Sequence, residues 1–212
     1  MFEAAGLDPE QPPTTFQEVY EMGKQIVDSG VAPYAISFGW PAWILEQMYA
    51  KHNILLANEG NGREGLATET YWNNEFGVAV LTEWKRWAED GLLYYGGREY
   101  SANDPFIAGE FAMLAQSTSS LGGIQNAVDF ELGTAFLPRL EGYDEIGNNV
   151  VGGGCLWTMA GASEEELDAI WRFYQHLSSV EMDMMWHKGT GYFPASNATV
   201  EALEAEGWFE EN

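Results

Sequence analysis

Residues 33–44 read PYAISFGWPAWI and contain the junction around which the fold is organised. The apolar residues 33–38 predict a short strand, and a glycine then leads the chain towards Pro41. Proline lacks an N–H and has a fixed φ, so it suits the first turn of a helix. We therefore expect a strand to pass directly into a helix here, with Trp40 and Trp43 at the junction.

The segments on either side of this junction predict further regular structure. Upstream, Thr15 and Glu18 have the spacing of a capping box, which predicts a helix from there to Gly30. Downstream, apolar residues recur at helical spacing up to Gly91, which predicts a packed amphipathic helix. The other elements expected are a short helix over 104–109, strands over 111–115, 132–137 and 155–160, and helices over 165–177, 180–188 and 197–206.

The charge balance argues against two classes of partner. The chain has 33 acidic and 9 basic residues among 212, a formal net charge of -24. Such a charge repels nucleic acid and anionic membrane surfaces, so we expect no nucleic-acid partner. No apolar run reaches membrane-spanning length, and the N-terminus shows no export signal. The single cysteine, Cys155, lies in an apolar run, so we expect a buried, inert thiol.

Patterns that carry catalysis or bind metal are missing from the sequence. His52, His176 and His187 lie far apart, and none has the spacing of a metal-ligand pair. There is no G-x-S-x-G elbow, phosphate loop or dinucleotide glycine signature. With 33 acids, some carboxylate pair lies close by chance, so such a pair says little. We expect no metal, no cofactor and no enzyme activity; a carbohydrate-active enzyme remains the alternative of another class.

Four features are candidates for binding a small polar molecule, and each has a structural alternative. The faces of the two tryptophans suit polyols and sugars, but both rings could belong to the core. The hydroxyl run Ser117–Ser120 suits an anion or hydroxyl group, or simply caps a helix. The glycines at 152–154 allow close approach of backbone to a ligand, or form a turn. Tyr192 is either a hydroxyl donor or a loop anchor.

Five segments, in order, carry a resemblance to a known family. They read AGLDPEQPPTTF (5–16), GWPAWI (39–44), STSSL (117–121), VGGGCLW (151–157) and WHKGTGYFP (186–194). Together they resemble family 1 extracellular solute-binding proteins of ABC importers and, within that family, the branch that binds sn-glycerol-3-phosphate. The resemblance spans essentially the whole chain.

The resemblance implies an α/β fold of the type II periplasmic-binding-protein class, in which two lobes close on the ligand by a hinge. This helix-rich chain would represent mainly the second, C-terminal lobe, without most of the first lobe and without the C-terminal end. Residues 1–132 would form the second lobe, 133–177 would return to the first lobe, and 178–212 would complete the second. A monomer that works with ABC permease subunits is implied, in the periplasm or anchored at the outer face of the membrane.

The resemblance also implies roles for individual residues. Trp40 would form an aromatic wall, Ser117 and the backbone of Gly153 would bind phosphate or glycerol oxygens, and the Tyr192 hydroxyl would donate to the ligand. Further candidates are Trp43, Ser119 and Ser120. The serine run reads Ser-Thr-Ser-Ser where the family has Ser-Ser-Gly-Ser, which reduces backbone freedom there. The expected ligand is sn-glycerol-3-phosphate or a glycerophosphodiester; the alternative is a sugar or oligosaccharide.

Overall fold

The computed structural model describes residues 1–98, 102–152 and 154–211, which form two compact units. The first unit comprises Met1–Gln116 and Ala127–Val151; the second comprises Ser117–Asn126 and the chain from Gly152 onward. The helices are α1 (Phe16–Asp28), α2 (Pro41–Lys51), the left-handed turn α3 (Asn58–Gly62), α4 (Glu75–Glu89), α5 (Asn103–Ile107), α6 (Leu121–Ala127), α7 (Glu164–Leu177), α8 (Val180–Thr190), α9 (Asn197–Ala205) and α10 (Trp208–Glu211). The strands are β1 (Tyr34–Phe38), β2 (Leu93–Tyr94) and β3 (Phe111–Ala115), and 3₁₀ turns lie at Glu3–Ala5 and Thr118–Ser120.

The first unit is built on a parallel sheet with the strand order β2-β1-β3. Ile36 pairs with Leu93 on one side of β1, and Phe38 pairs with Ala115 on the other. Parallel strands require crossover connections. Helices α2 to α4 lie between β1 and β2 in the chain, and α5 lies between the two outer strands, β2 and β3. The predicted strands over 33–38 and 111–115 are therefore confirmed: the first is the central strand of the sheet and the second is its neighbour at one edge.

Helix α1 begins where the capping box predicts. The N–H of Glu18 donates to Oγ1 of Thr15 at 3.2 Å, and the Glu18 carboxylate accepts from the N–H of Thr15 at 3.1 Å. Hydrogen bonds from Thr14 to the same carboxylate lower the pKa of Glu18. The buried face of α1 packs on β1 and α4, with the rings of Phe16 and Trp87 5.0 Å apart. Capping and apolar spacing thus fix both the start of α1 and the face that it buries.

Residues 137–151 lie in the first unit as an irregular segment held by hydrogen bonds. The backbone of Arg139 bonds to the carbonyl of Thr14 and to the N–H of Phe16, each at 2.8 Å. The side-chain amide of Gln47 accepts from the N–H of Val150 at 2.8 Å and donates to its carbonyl at 3.1 Å. Backbone groups that have no strand partner are thereby satisfied by α2 and the start of α1.

The regular structure of the second unit is helical in the residues that the structure describes. Ser163 and Glu166 form the capping box that starts α7, and hydrogen bonds from Ser163 lower the pKa of Glu166. Leu203 on α9 is buried, whereas none of the side chains of α7 is. Trp171 on α7 is 60% exposed, so this helix presents apolar surface that is uncovered in this structure.

Two expectations from the sequence are wrong. The segments 132–137 and 155–160 form no strand in the described residues, because no neighbouring strand there supplies hydrogen-bond partners for their backbones. Phe136 and Trp157, on these segments, are 91% and 81% exposed. Cys155 is exposed rather than buried, and its sulfur accepts a hydrogen bond from the indole N–H of Trp157 at 3.0 Å. The apolar run around Cys155 therefore does not bury its thiol.

Candidate ligand-binding site

Trp40 occupies a strained position at the end of β1. It precedes Pro41 as the N-cap of α2, with φ 50° and ψ 74°, a left-handed conformation that is rare for a bulky residue. The N–H of Gly39 donates to the carbonyl of Ala115, and the carbonyl of Trp40 accepts from the N–H of Ile44, which holds the backbone on both sides. The side chain is 39% exposed. Strained, exposed residues of this kind cluster at ligand clamps, so the geometry supports a binding role for Trp40.

Trp43 lies in the first turn of α2 and has a different environment. Its ring is half-buried and packs against the core of the first unit, which contains Phe16, Phe38 and Trp84. Packing in the core, the structural alternative considered from the sequence, therefore accounts for most of the apolar surface of Trp43. Of the two tryptophans, Trp40 presents the larger accessible face.

A residue that the sequence did not single out lies beside this junction. Gln116 follows β3, and its side chain fills the space in front of Gly39, where an added Cβ would lie 2.3 Å from the Gln116 amide nitrogen. The same nitrogen donates to the side chain of Asn103 at 2.9 Å. The signal was present in the sequence, because the carboxyl ends of neighbouring parallel strands meet at one edge of a sheet, where α/β proteins bind their ligands.

The serine run, in the second unit, forms a compact turn of hydroxyl groups. The N–H of Ser119 donates to Oγ of Ser117 at 3.4 Å, and the two hydroxyl oxygens lie 3.0 Å apart. The carbonyl of Ser117 accepts from the N–H of Ser120 at 3.0 Å. The capping role considered from the sequence is therefore present. All three serines are half-buried, so their hydroxyl groups remain partly accessible.

The loop that carries Tyr192 packs on this same turn. Gly191 has φ +77°, and a Cβ added there would lie 2.8 Å from the carbonyl oxygen of Thr118. Only glycine allows both this conformation and this close approach. Tyr192 follows directly and is 37% exposed. Two segments that lie about seventy residues apart in the chain, both predicted from the sequence, thus meet within one unit.

The remaining candidate, Gly153, lies outside the described residues. Gly152 and Gly154 on either side are exposed, and a Cβ added at Gly154 would meet no atom within 4 Å. Trp40 and Trp43 belong to the first unit, whereas Ser117, Ser119, Ser120 and Tyr192 belong to the second.

The charges of the second unit bear on which ligands it can hold. Its only lysine or arginine residues are Arg172 and Lys188. Arg172 pairs with Asp168 at 2.7 Å, and Lys188 pairs with Glu206. Across residues 1–98, 102–152 and 154–211, no three His, Cys, Asp or Glu side chains group in a way that could hold a metal ion. Both basic side chains of this unit are therefore already paired with carboxylates.

His187 was considered from the sequence only as a metal ligand, and the structure gives it another place. Its Nδ1 lies 2.6 Å from the carbonyl oxygen of Tyr192, and its Nε2 accepts from the indole N–H of Trp208 at 3.2 Å. The signal was its position five residues before Tyr192, in the last turn of α8.

In the described part of the chain, no helix has both the length and the apolar character needed to cross a lipid bilayer.

Comparison with protein families gives a match over nearly the whole chain. The family described as bacterial extracellular solute-binding protein matches residues 1–211. Curated relatives are also similar over all of the chain. The sn-glycerol-3-phosphate-binding periplasmic protein UgpB of Rhizobium meliloti (strain 1021) is 34% identical, and its counterpart from Escherichia coli (strain K12) is 30% identical. The chain covers 49% and 48% of these two proteins, so it spans about half the length of the curated relatives that it matches.

Solved structures share the fold. The cyclic alpha-maltosyl-1,6-maltose binding protein of Arthrobacter globiformis aligns with a TM-score of 0.70 at 21% identity, over 96% of this chain and 52% of that protein. UgpB of Mycobacterium tuberculosis, solved in complex with glycerophosphocholine, aligns with a TM-score of 0.68 at 18% identity, over 94% of this chain and 50% of that protein. The predicted α/β, periplasmic-binding-protein-like fold is therefore confirmed.

Proposed function

Because this chain belongs to the family of bacterial extracellular solute-binding proteins, we propose that it acts as the solute-binding component of an ABC importer whose ligand is sn-glycerol-3-phosphate or a glycerophosphodiester. The contact of Gly191 with Thr118 carries this proposal, since it joins the serine turn and the Tyr192 loop into one polar surface. The relatives at 30% to 34% identity, named for binding sn-glycerol-3-phosphate, supply the ligand class.

In this proposal Ser117 and the backbone at Gly153 bind phosphate or glycerol oxygens, and the Tyr192 hydroxyl donates to the ligand. Trp40 forms an aromatic wall against the apolar edge of the glycerol moiety. Further contacts come from Ser119, Ser120 and Trp43. Trp40 is included among the proposed ligand contacts because its strained backbone and exposed ring are features of a ligand clamp.

The charge balance supports one of the two phosphate ligands over the other. Arg172 and Lys188 are already paired with carboxylates, and the chain carries a formal net charge of -24. A phosphate monoester carries about -1.5 to -2 charges at neutral pH, whereas a diester carries one. The repulsive field therefore favours a glycerophosphodiester over sn-glycerol-3-phosphate, unless the rest of the pocket supplies an arginine.

We further propose that residues 1–132 and 178–212 belong to the second lobe and that 133–177 return to the first. Apolar side chains of the returning segment, such as Trp157 and Met159, are 81% and 80% exposed, as expected of surface that another lobe covers. The hydrogen bonds of Leu140 and Val150 to α2 favour a boundary nearer to 151 than to 133. The protein works outside the cytoplasm, as a monomer with ABC permease subunits, and it is not an enzyme.

Calorimetric titration tests the ligand. The protein, as expressed from its own gene, is titrated with sn-glycerol-3-phosphate, glycerophosphocholine and maltose at matched high salt, which screens the long-range repulsion. Binding of either phosphate compound supports the proposal. Binding of maltose alone would keep the transport role and replace the ligand, an alternative that the exposed face of Trp40 favours. Turnover of a chromogenic glycoside would contradict the absence of enzyme activity.

Two substitutions test the assigned residues. Trp40→Ala and Ser117→Ala should each weaken binding by about tenfold, because each removes a contact made directly to the ligand. Trp72→Ala is the matched control, since Trp72 is a tryptophan of the same unit with nearly equal exposure, 38% against 39% for Trp40. Unchanged affinity in both test variants would show that the pocket lies elsewhere.

A further inference from the structure

The side chain of His187 is bonded at both ring nitrogens. Nδ1 lies 2.6 Å from the carbonyl oxygen of Tyr192, and Nε2 lies 3.2 Å from the indole nitrogen of Trp208. A carbonyl oxygen only accepts hydrogen bonds, and an indole N–H only donates them. This pattern of contacts places a proton on Nδ1 and a lone pair on Nε2.

Other contacts fix the ring in place. It packs edge-on against Trp208, with the ring centres 6.3 Å apart, and its centre lies 5.9 Å from that of Phe209. The next residue, Lys188, pairs with Glu206, and its Nζ lies 5.0 Å from the centre of the Trp208 ring. The last turn of α8 is thus joined to α9 and α10, so Nδ1 has a defined direction. A hydrogen bond from such a fixed group orients its acceptor.

The loop after α8 is held at three places. The N–H of Ala195 donates to both carboxylate oxygens of Asp183, at 3.1 and 2.9 Å. At its start, the N–H of Tyr192 donates to Oγ1 of Thr190 at 3.3 Å, and Gly191 abuts Thr118. The third contact, from His187, reaches the carbonyl of Tyr192 itself. Of these contacts, only the one from His187 reaches the peptide group that follows the Tyr192 side chain.

We propose that His187 is a positioning residue for ligand binding: its Nδ1–H holds the Tyr192 carbonyl and so presents the Tyr192 hydroxyl to the ligand. The inference rests on the proposed function, because it assumes that Tyr192 contacts the solute. Without this hydrogen bond the loop of the free protein samples other orientations. Ligand binding must then also order the loop, which costs binding free energy. Affinity falls even though His187 itself does not touch the ligand.

Two substitutions separate the bonds of the two nitrogens. In His187→Asn, an amide N–H takes the place of Nδ1–H and retains the bond to Tyr192. In His187→Gln, the amide reaches the position of Nε2, where its oxygen accepts from Trp208, and the bond to Tyr192 is lost. We expect His187→Gln to weaken binding of glycerophosphocholine by about tenfold, and His187→Asn to stay within about twofold of wild type. A role in stability alone gives no such rescue by asparagine.

Two measurements do not depend on the ligand. Hydrogen exchange at the amides of Tyr192 and Phe193 should become faster in His187→Gln than in His187→Asn, while the amide of Leu203 in α9 stays protected in both and reports a retained fold. A long-range proton–nitrogen NMR spectrum of wild type should show a protonated Nδ1 and an unprotonated Nε2. Equal exchange in both variants, or the opposite tautomer, would overturn the inference.

Tyr192→Phe separates the two proposals. If it weakens binding and His187→Gln does not, the His187 inference fails and the proposed site stands. If wild type binds and neither variant changes the affinity, the proposed site is wrong and the inference fails with it. If wild type binds none of the ligands tested, the proposed ligand is wrong, and hydrogen exchange alone decides whether His187 orients the loop.

Discussion

The imidazole Nε2 of His52 accepts a hydrogen bond from the backbone N–H of Leu140 at 3.1 Å, although the two residues lie 88 positions apart. Nδ1 of the same ring lies 2.7 Å from the carbonyl oxygen of Met48, one turn earlier in α2. An N–H can only donate and a carbonyl can only accept, so this buried ring is neutral in a single tautomer. His52 thereby fastens the irregular segment 137–151 to the first unit.

This arrangement makes the stability of the unit depend on pH. Burial lowers the pKa of His52, and the charges of Arg139 and Lys51 lower it further, against the opposing effect of the Met48 carbonyl. An unfolded histidine titrates near a pH of about 6.5, so just below that value the unfolded chain binds more protons than the folded one. His52 therefore makes its full contribution to the free energy of unfolding above about pH 6.5, and this contribution decreases as the pH falls below that value.

Urea unfolding from about pH 8 to about pH 5 checks this expectation against His52→Gln. A glutamine oxygen can accept from the Leu140 N–H and does not titrate. Acidification also reduces the net charge of the whole chain, so only the difference between the two proteins is informative. Wild type should lose stability relative to the variant as the pH falls, and parallel curves would contradict a buried neutral His52.

Gln47 holds the other end of the same segment through two hydrogen bonds to Val150. Gln47→Met keeps the length of the side chain and removes both bonds, so it should lower the free energy of unfolding by about 1 to 2 kcal/mol. Hydrogen exchange at Val150 should become faster, while exchange at Leu140 stays slow because His52 still holds it. Glu46→Met, the same change one residue earlier, is the control and should leave exchange at Val150 unaltered.

Local signals in the sequence predicted the local structure of the first unit. The capping box at Thr15 and Glu18, and Pro41 at the start of α2, describe contacts within a few residues, and the structure contains both. The segments 132–137 and 155–160 also have strand-like composition, but a strand requires a neighbour to accept its hydrogen bonds. Composition reports the tendency of a segment and does not report whether that neighbour is present.

The candidate site was predictable in its residues and not in their geometry. The serine run and Tyr192 were selected by motif, yet their meeting depends on the close approach of Gly191 to Thr118, between segments far apart in the chain. The role of His187 depends on Trp208, which lies beyond the motif that contains the histidine. The positive φ of Trp40 was likewise invisible, because sequence preferences assign that conformation to glycine and asparagine.

The backbone of Trp40 provides a test that is independent of any ligand. At φ 50° a residue with a Cβ is strained by roughly 1 to 2 kcal/mol, whereas glycine is not. Trp40→Ala and Trp40→Gly remove the same ring contacts, so their difference isolates the backbone. We expect Trp40→Gly to be more stable than Trp40→Ala by about 1 kcal/mol in urea unfolding, after the greater freedom of glycine in the unfolded chain is included. Equal stability, or a more stable alanine variant, would mean that this residue does not adopt the left-handed conformation.

Gly191 and Gly189 form a matched pair at the end of α8. At Gly191, φ is +77° and an added Cβ would lie 2.8 Å from the Thr118 carbonyl; at Gly189, within the helix, a Cβ would meet nothing within 4 Å. Gly191→Ala should therefore lower the free energy of unfolding by about 1 to 2 kcal/mol or more. Gly189→Ala should leave it unchanged or raise it by up to about 1 kcal/mol, because alanine favours a helix.

The same pair tests whether the Tyr192 loop and the serine turn act together. In Gly191→Ala the added methyl group must push the loop away from Thr118, so hydrogen exchange should become faster at both Tyr192 and Ser119. Gly191→Ala should also weaken binding of glycerophosphocholine, whereas Gly189→Ala should not. Faster exchange at Tyr192 with no change at Ser119 would show that the two segments are neighbours without being coupled, and the polar surface attributed to both would then have to be assigned to one of them alone.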